Sequence, residues 1–140
     1  MKKFVNRIRL MNRTYELPLP TQLTITPETV DRLKKFKDIL SEELDEIDTI
    51  IENVGIERYD VIGAHLADLL GDLVIYCVSE MVRFGIPVEP TLDIIMDSNF
   101  SKLGLDNLPI KDERGKFLKG PNYWKPEEKL RLMLVPPLPQ

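Results

Sequence analysis

The chain has 140 residues, of which 43% are hydrophobic and 30% are charged, and its formal net charge is −4. This length predicts one domain, and this composition is typical of a soluble globular protein. The negative charge gives no reason to expect a nucleic-acid partner. With one cysteine, Cys77, the chain has no intrachain disulfide framework and no cysteine-based zinc site.

The N-terminus lacks the apolar core of a signal peptide, and no uninterrupted apolar run reaches the length of a membrane span. Cys77 lies in an apolar stretch, which predicts a small core residue and suits a reducing compartment. We therefore expect a soluble cytoplasmic protein with no membrane partner.

The first half of the chain predicts two helices separated by an extended loop. Residues 3–14 carry Phe4, Ile8, Leu10 and Met11 between basic residues, which is compatible with a short amphipathic helix. Two prolines within Leu17–Pro20 prevent a regular helix, so Tyr15–Ile25 is expected to be extended. Thr26-Pro27-Glu28 is a strong helix start, and the helix is expected to run from about Pro27 to Val54.

The next predicted helix, about Tyr59 to Phe84, is apolar around most of its circumference. Such a helix is central, covered by its neighbours or by another subunit. Gly71 costs helix propensity within it, so a close approach of another helix is expected there.

A shorter helix is predicted from Glu89-Pro90-Thr91 to about Leu103, with Gly104 as its end. The remaining 36 or so residues (roughly a quarter of a chain this size) are rich in Pro, Gly and Lys, and Asp112–Lys116 predicts a turn or small hairpin. Pro136–Pro139 is expected to be a tail or a strap onto a neighbour. The fold class is therefore all-α: a helical bundle with two long antiparallel helices, shorter helices and an ordered C-terminal loop region.

An acidic run interrupts the first long helix at Glu42-Glu43-Leu44-Asp45-Glu46. On a helical wheel, Glu43 falls inside the apolar arc, Glu46 lies at its edge, and Glu42 lies beside Glu46. A carboxylate buried without a partner costs several kcal/mol, so a cationic group is expected to meet Glu43 and Glu46.

Asp68 and Asp72 lie one turn apart on the same face of the second long helix. In an antiparallel hairpin, this face can lie opposite Glu43 and Glu46. Carboxylates gathered in an apolar interior cannot all stay ionised without cations, and Mg²⁺ suits such hard oxygen ligands.

Two alternatives to magnesium follow from the same residues. A di-iron site needs a Glu-x-x-His pair, but the residue three positions before His65 is Ile62, so that interpretation fails. The acids could instead form a solvated face, with Asp68 and Asp72 paired to Arg83 or to a lysine elsewhere in the fold.

The ordered set of motifs resembles the all-α nucleoside triphosphate pyrophosphohydrolases, which include MazG proteins, dimeric dUTPases and phosphoribosyl-ATP pyrophosphohydrolase. The resemblance begins with Glu42-Glu43-x-x-Glu46 and Asp68-Leu-Leu-Gly-Asp72. It continues through residues 11–18, 97–103 and 115–123, which are similar to a phosphoribosyl-ATP pyrophosphohydrolase-like subgroup. Altogether it covers most of residues 4–126.

The sequence departs from the family pattern at two places. Leu69 occupies the position where a glutamate is expected before Asp72, so Asp68 must substitute from one residue earlier. The N-terminal segment has Met11-Asn12 and Glu16 where relatives often have Phe-His and Gly. The second departure bears on the pocket for the base more than on the metal site.

The resemblance implies hydrolysis of the α–β phosphoanhydride of a nucleotide, which releases a monophosphate and pyrophosphate. It implies two or more Mg²⁺ ions, with Mn²⁺ as a substitute, held by Glu43, Glu46, Asp68 and Asp72. Glu42 would be a further ligand or the group that orients and deprotonates the water. Glu42 and Glu43 are the expected catalytic residues, and which of Glu42, Glu43 and Glu46 activates the water stays open.

The substrate-binding residues implied by the resemblance are Asn99, Lys102, Lys116, Lys119 and Tyr123. Without the family, Asn99 and Lys102 would be a polar patch at a helix C-terminus, and the lysine loop would be a solvated loop with aromatic plugs. For Trp124 and Lys125, we expect the solvated loop with aromatic plugs and not a role in substrate binding.

The expected organisation is one MazG-like domain over residues 1–140, with a core at about 27–104, a substrate-side loop at about 105–127 and a tail at 128–140. A homodimer or homotetramer is expected, from the family and from the apolar second helix. The expected role is in nucleotide metabolism, with a pyrimidine deoxynucleotide such as dUTP as substrate. The alternatives are phosphoribosyl-ATP hydrolysis and a non-catalytic helical interaction protein.

Overall fold

The structure is a computed structural model, and it describes residues 1–135. The described part contains five helices: α1 (Lys2–Thr14), α2 (Thr29–Asn53), α3 (Tyr59–Arg83), α4 (Val88–Phe100) and α5 (Glu127–Leu134). It contains no strand, so the predicted all-α class is confirmed. The prediction for Pro136–Pro139 falls outside the described residues.

The described chain divides into two compact units. One is Lys3–Gly85, and the other contains residues 86–135 together with Met1–Lys2. The single-domain organisation stays a prediction.

In the first unit, α1 has a buried stripe and contacts α3 through Asn12. Val5, Ile8 and Asn12 are the buried residues of α1, and their spacing places them on one helical face. The Asn12 amide donates to the Ser79 carbonyl oxygen at 3.2 Å, and the Ser79 hydroxyl donates to Asn12 Oδ1 at 2.7 Å. Asn12 is fully buried, and this reciprocal pairing satisfies its amide.

The two long helices, α2 and α3, have 25 residues each. They are joined by five residues and pack against each other, so they form an antiparallel helical hairpin. Glycines end both helices as predicted, with φ +85° at Gly55 and φ +71° at Gly85. A side chain at Gly85 would meet the Gln22 carbonyl oxygen at 2.0 Å, so the loop before α2 requires glycine at this position.

The helix α2 begins two residues later than predicted. Pro27 and Glu28 lie in a turn before the helix, and the Thr26 N–H donates to the Thr29 hydroxyl oxygen at 3.0 Å. The start signal was correctly located, but Thr29 rather than Pro27 is the first helical residue.

The apolar surface of α3 is covered on only part of its circumference by this chain. Its buried residues are Leu69, Val78, Ser79, Glu80 and Val82. By contrast, the Leu70 side chain is 52% exposed and Val74 is 53% exposed. The prediction of a fully covered central helix therefore does not hold within one described chain.

Two residue-level predictions on α3 are wrong for the same reason. Cys77, expected in the core, is exposed. A side chain added at Gly71 would meet no atom within 4 Å, so the described chain makes no close helix approach there. Both residues lie on the part of α3 that α1 and α2 leave open.

By length and composition, α3 is the one helix among residues 1–135 that could also cross a membrane. Apolar core helices pass the same test. Asp68, Asp72 and Glu80 lie along it, and such charges are costly in hydrocarbon.

In the second unit, α4 anchors the segment that precedes α5. The Ser98 hydroxyl donates to the Trp124 carbonyl oxygen at 2.8 Å, and the Gly120 N–H donates to the Lys102 carbonyl oxygen at 2.8 Å. A side chain at Gly120 would lie 2.2 Å from the Leu103 carbonyl oxygen, so only glycine fits this close approach.

The predicted hairpin is present. The Asp112 N–H donates to the Lys116 carbonyl oxygen at 2.9 Å, and an isolated antiparallel bridge joins Lys111 to Phe117. Asp112 Oδ1 accepts from the Arg114 and Lys116 backbone amides at 2.9 Å each, which closes the turn.

Two predictions in this unit need correction. The helix α4 ends at Phe100, and residues 101–103 form a turn rather than a continuation of the helix. The predicted C-terminal loop and tail contain an additional helix, α5 at Glu127–Leu134. Its start, Pro126-Glu127-Glu128, is an ordinary helix signal, but eight residues give too little periodicity to recognise.

Candidate functional site

The predicted convergence of acidic side chains occurs on the α2–α3 hairpin. Glu43 lies on α2, and its pKa is raised first by desolvation and then by the charges of Glu46, Asp72 and Asp68. All four predicted metal ligands are thus close enough for their charges to interact.

One oxygen of this cluster lacks a partner. Glu43 Oε2 is buried and has no hydrogen-bond partner. The Tyr76 hydroxyl lies beside the carboxylate and opposes part of the rise in the Glu43 pKa. A buried carboxylate oxygen without a donor is unfavourable, so this position favours an added cation.

The protein itself supplies no such cation in residues 1–135. The ion pairs described there are Arg32–Glu80, Arg58–Asp60 and Arg131–Glu128. The alternative that Asp68 and Asp72 pair with Arg83 or a lysine is therefore not observed in this part of the chain.

The remaining predicted residues of this region lie near solvent. Glu42 and Glu46 are exposed on α2. Glu46 and Asp68 also line a cavity of about 350 Å³ together with His65. Within residues 1–135, no three Asp, Glu, His or Cys side chains are already grouped as a metal ligand set.

The register of the hairpin explains why the acids meet. Arg32 on α2 pairs with Glu80 on α3. Moving eleven residues along α2 reaches Glu43, and moving eleven residues back along the antiparallel α3 reaches Leu69. Leu69 is 1% exposed and is flanked by Asp68, with Asp72 one turn further on.

The unit that begins at Ile86 brings together three of its five predicted substrate-binding residues. The Lys102 ammonium lies 5.9 Å from the centre of the Tyr123 ring, and the Lys119 ammonium lies 5.2 Å from it. Both distances fall within the range of cation–π attraction. Two lysine ammonium groups are therefore close to the Tyr123 ring.

Asn99 and Lys102 also line a cavity in this unit. They line a mainly apolar cavity of about 330 Å³ with Phe100 and Phe117. The Lys116 side chain is exposed on the hairpin, away from any described ion pair. The Lys129 ammonium lies 3.8 Å from the centre of the Trp124 ring.

Sequence reasoning missed Tyr76 and misjudged Arg83. Tyr76 lies one turn after Asp72, so the same spacing argument that linked Asp68 to Asp72 would have found it. Arg83 was considered only as a partner for the acids, whereas it lies near Arg32 and Glu80.

No protein-family model and no curated protein matches the chain. Among solved structures, the chain is similar to the crystal structure of a putative NTP pyrophosphohydrolase from Exiguobacterium sp. 255-15. The two are 20% identical with a TM-score of 0.49, and the match covers 91% of this chain and 92% of that chain.

Proposed function

We propose that this protein is a metal-dependent nucleotide pyrophosphohydrolase. Water would attack a nucleoside triphosphate, the α–β phosphoanhydride bond would break, and the products would be a nucleoside monophosphate and pyrophosphate. The observation that supports this proposal is the buried, unpartnered Oε2 of Glu43, facing the charges of Glu46, Asp68 and Asp72.

These four carboxylates fit Mg²⁺, or Mn²⁺ in its place, because such cations prefer hard oxygen ligands. When bound, the cations would neutralise charge on the phosphate chain and make water more acidic. Glu42 is exposed on the same turn of α2 as Glu43. We assign to Glu42 the role of orienting and deprotonating the attacking water, with Glu43 as the other candidate.

The cations around Tyr123 support a role in substrate binding. Lys102 and Lys119 could contact phosphate oxygens, and the Tyr123 ring could pack on the sugar. Asn99, beside Lys102 in the cavity lining, offers an amide to the sugar. Lys116, exposed on the hairpin, is the most peripheral of the proposed contacts.

The experiment is pyrophosphate release from a panel of nucleoside triphosphates and phosphoribosyl-ATP, with and without Mg²⁺. Wild type is compared with Glu46→Gln and Asp72→Asn. Turnover that needs the metal and is lost in both variants supports the proposal. Asp48→Asn is the matched control, because Asp48 is an exposed acid on α2 outside the cluster.

The preferred nucleotide then separates the substrate classes. Preference for dUTP or another pyrimidine deoxynucleotide supports the expected substrate, and preference for phosphoribosyl-ATP replaces it with the biosynthetic reaction. If folded wild type turns over no nucleotide, and all variants melt like wild type, the protein is a non-catalytic binding protein.

We also propose that the protein self-associates as a dimer or tetramer through the open side of α3. Leu66, Leu70 and Val74 are exposed at successive turns of this helix, with 44%, 52% and 53% of their surface accessible. Such a row of apolar side chains is costly in water. Light scattering of wild type and Leu70→Glu tests this proposal, and a monomeric wild type overturns it.

A further inference from the structure

A second cavity in the Lys3–Gly85 unit has a volume of about 550 Å³. It is lined by residues of α1, the following loop, α2 and α3, and its size is within the range of small-molecule sites. Asp72 and Tyr76, which lie beside Glu43, belong to its lining. The cavity therefore borders the acid cluster.

The opposite part of the lining contains Arg32, Glu80 and Arg83. Arg32 is already engaged, because its Nε donates to Glu80 Oε1 at 2.7 Å and a second nitrogen donates to Glu80 Oε2. Asn12 and Ser79 are likewise engaged with each other. These polar groups are therefore not free to recognise a ligand without breaking existing bonds.

Arg83 differs from these neighbours. It takes part in none of the ion pairs found in residues 1–135, and its Nε is buried without an acceptor. A guanidinium can only donate hydrogen bonds, so an acceptor must come from outside the described chain if this donor is to be satisfied.

The polar lining follows one face of α3. Asp72, Tyr76, Glu80 and Arg83 recur at spacings of four, four and three residues. At 1.5 Å per residue, Asp72 and Arg83 lie about 16 Å apart along the helix axis. A phosphate chain at the acid cluster, with its sugar and base pointing along α3, would bring the base toward Arg83. Tyr15 and Phe36 in the cavity lining supply aromatic surface for that base.

We propose that Arg83 is a specificity residue that donates hydrogen bonds to a carbonyl oxygen of the base. This proposal rests on the proposed function. The site would then favour nucleotides whose base carries a carbonyl group over adenine nucleotides, because adenine has no carbonyl oxygen. An adenine base would leave the Arg83 donors unpaired in a partly buried place. The free-energy cost of these unpaired donors would make the site bind adenine nucleotides more weakly.

The first test measures kcat and KM for dUTP, dGTP and dATP with Mg²⁺. Wild type is compared with Arg83→Gln, Arg83→Lys and the control Arg58→Gln, which removes an exposed arginine of the Arg58–Asp60 pair. We expect Arg83→Gln to reduce the preference for dUTP and dGTP over dATP by about 10- to 100-fold. The loss should arise mainly from a higher KM for dUTP and dGTP, while kcat stays within a few-fold.

Arg83→Lys keeps the positive charge but removes Nε and the planar fork, so it should recover only part of the preference. Arg58→Gln should keep the wild-type preference. A wild type that prefers dATP, or an Arg83→Gln variant that loses turnover equally on all three nucleotides, overturns the proposal. If Arg83→Gln does not fold, the same comparison with Arg83→Lys decides it.

A second measurement separates this proposal from the proposed reaction. Calorimetry follows the binding of deoxyuridine and deoxyadenosine, which carry no phosphate, in the absence of metal. Tighter binding of deoxyuridine that disappears in Arg83→Gln supports Arg83 as the specificity residue even if no nucleotide is hydrolysed. Absence of turnover with equal binding of the two nucleosides, or with no nucleoside binding, overturns both proposals.

Discussion

The α2–α3 hairpin contains two partly or fully buried glutamates, of which one has a cationic partner and the other has none. Glu80 is 6% exposed, and both of its oxygens accept hydrogen bonds from Arg32. Glu43 has one buried oxygen with no partner, and its neighbours are further acids. The same pair of helices thus neutralises one carboxylate and leaves the other uncompensated.

The difference separates a structural charge from a charge available for binding. The Arg32–Glu80 pair links α2 to α3 and is consistent with their antiparallel register. The uncompensated charge at Glu43 opposes folding of the metal-free chain, and such a feature is common where a site is built for a ligand. The comparison therefore predicts that changes at the two glutamates affect stability in opposite directions.

The largest expected effect is at the structural pair. Glu80→Gln should destabilise the protein by about 3–5 kcal/mol, because it leaves the Arg32 charge uncompensated beside Arg83 in a partly buried place. Urea denaturation measures the free energy of unfolding.

Arg58→Ala is the control, because the Arg58 and Asp60 side chains are 81% and 65% exposed. Breaking this surface pair should cost less than about 1 kcal/mol. Equal effects of Glu80→Gln and Arg58→Ala would show that the Arg32–Glu80 pair contributes little to the hairpin.

The second effect is stabilisation by metal. At a Mg²⁺ concentration of 100 times its Kd, the free energy of unfolding should rise by about 2.7 kcal/mol. Thermal denaturation of wild type with and without Mg²⁺ measures the change in Tm. Asp72→Asn should lose most of this increase, whereas Asp48→Asn, on the exposed side of α2, should keep it. A wild type whose Tm does not respond to Mg²⁺ or Mn²⁺ contradicts a metal site.

The third prediction concerns Glu43 itself. Glu43→Gln should raise the Tm of the metal-free protein, because a neutral amide replaces a desolvated carboxylate that is repelled by Glu46, Asp72 and Asp68. The same variant should lose activity by at least about 100-fold, the upper range for removing a residue that only supports a metal ligand. A metal-free Tm below that of wild type would indicate that the Glu43 charge is compensated after all.

The smallest effect is expected at Tyr76, whose hydroxyl lies beside Glu43. Tyr76→Phe removes one hydrogen-bonding group and keeps the ring, so kcat should fall by about 2- to 10-fold. Steady-state kinetics measure this change. If Tyr76→Phe lowered activity as much as Glu43→Gln, Tyr76 would take part directly in catalysis and would not only support Glu43.

Much of the fold was predictable because its signals are local. Gly55 and Gly85 end α2 and α3 as expected, and both adopt the positive φ that favours glycine. Prolines kept the segment before α2 out of a helix. The helix α5 was missed because a pattern of eight residues contains barely two turns.

The acid cluster was predictable because helical spacing places Glu43 in an apolar arc and pairs Asp68 with Asp72. Exposure was not predictable in the same way. The apolar sequence around Cys77 suggests burial, yet whether that side of α3 is covered depends on which elements pack there, and α1 and α2 pack elsewhere. Glu16 has φ +58°, a conformation that glycine adopts at lower cost.

The sequence alone determined the helical class, the ends of the long helices and the two acid pairs, because each depends on residues within a few turns of one another. Only the tertiary structure decided that Arg32 meets Glu80 across the hairpin, and with it the register that brings Glu43 between Asp68 and Asp72. It also decided that Arg83 lines the neighbouring cavity with a buried, unpaired Nε. These contacts join residues that are distant in the chain, so they depend on how the helices pack and not on any local pattern.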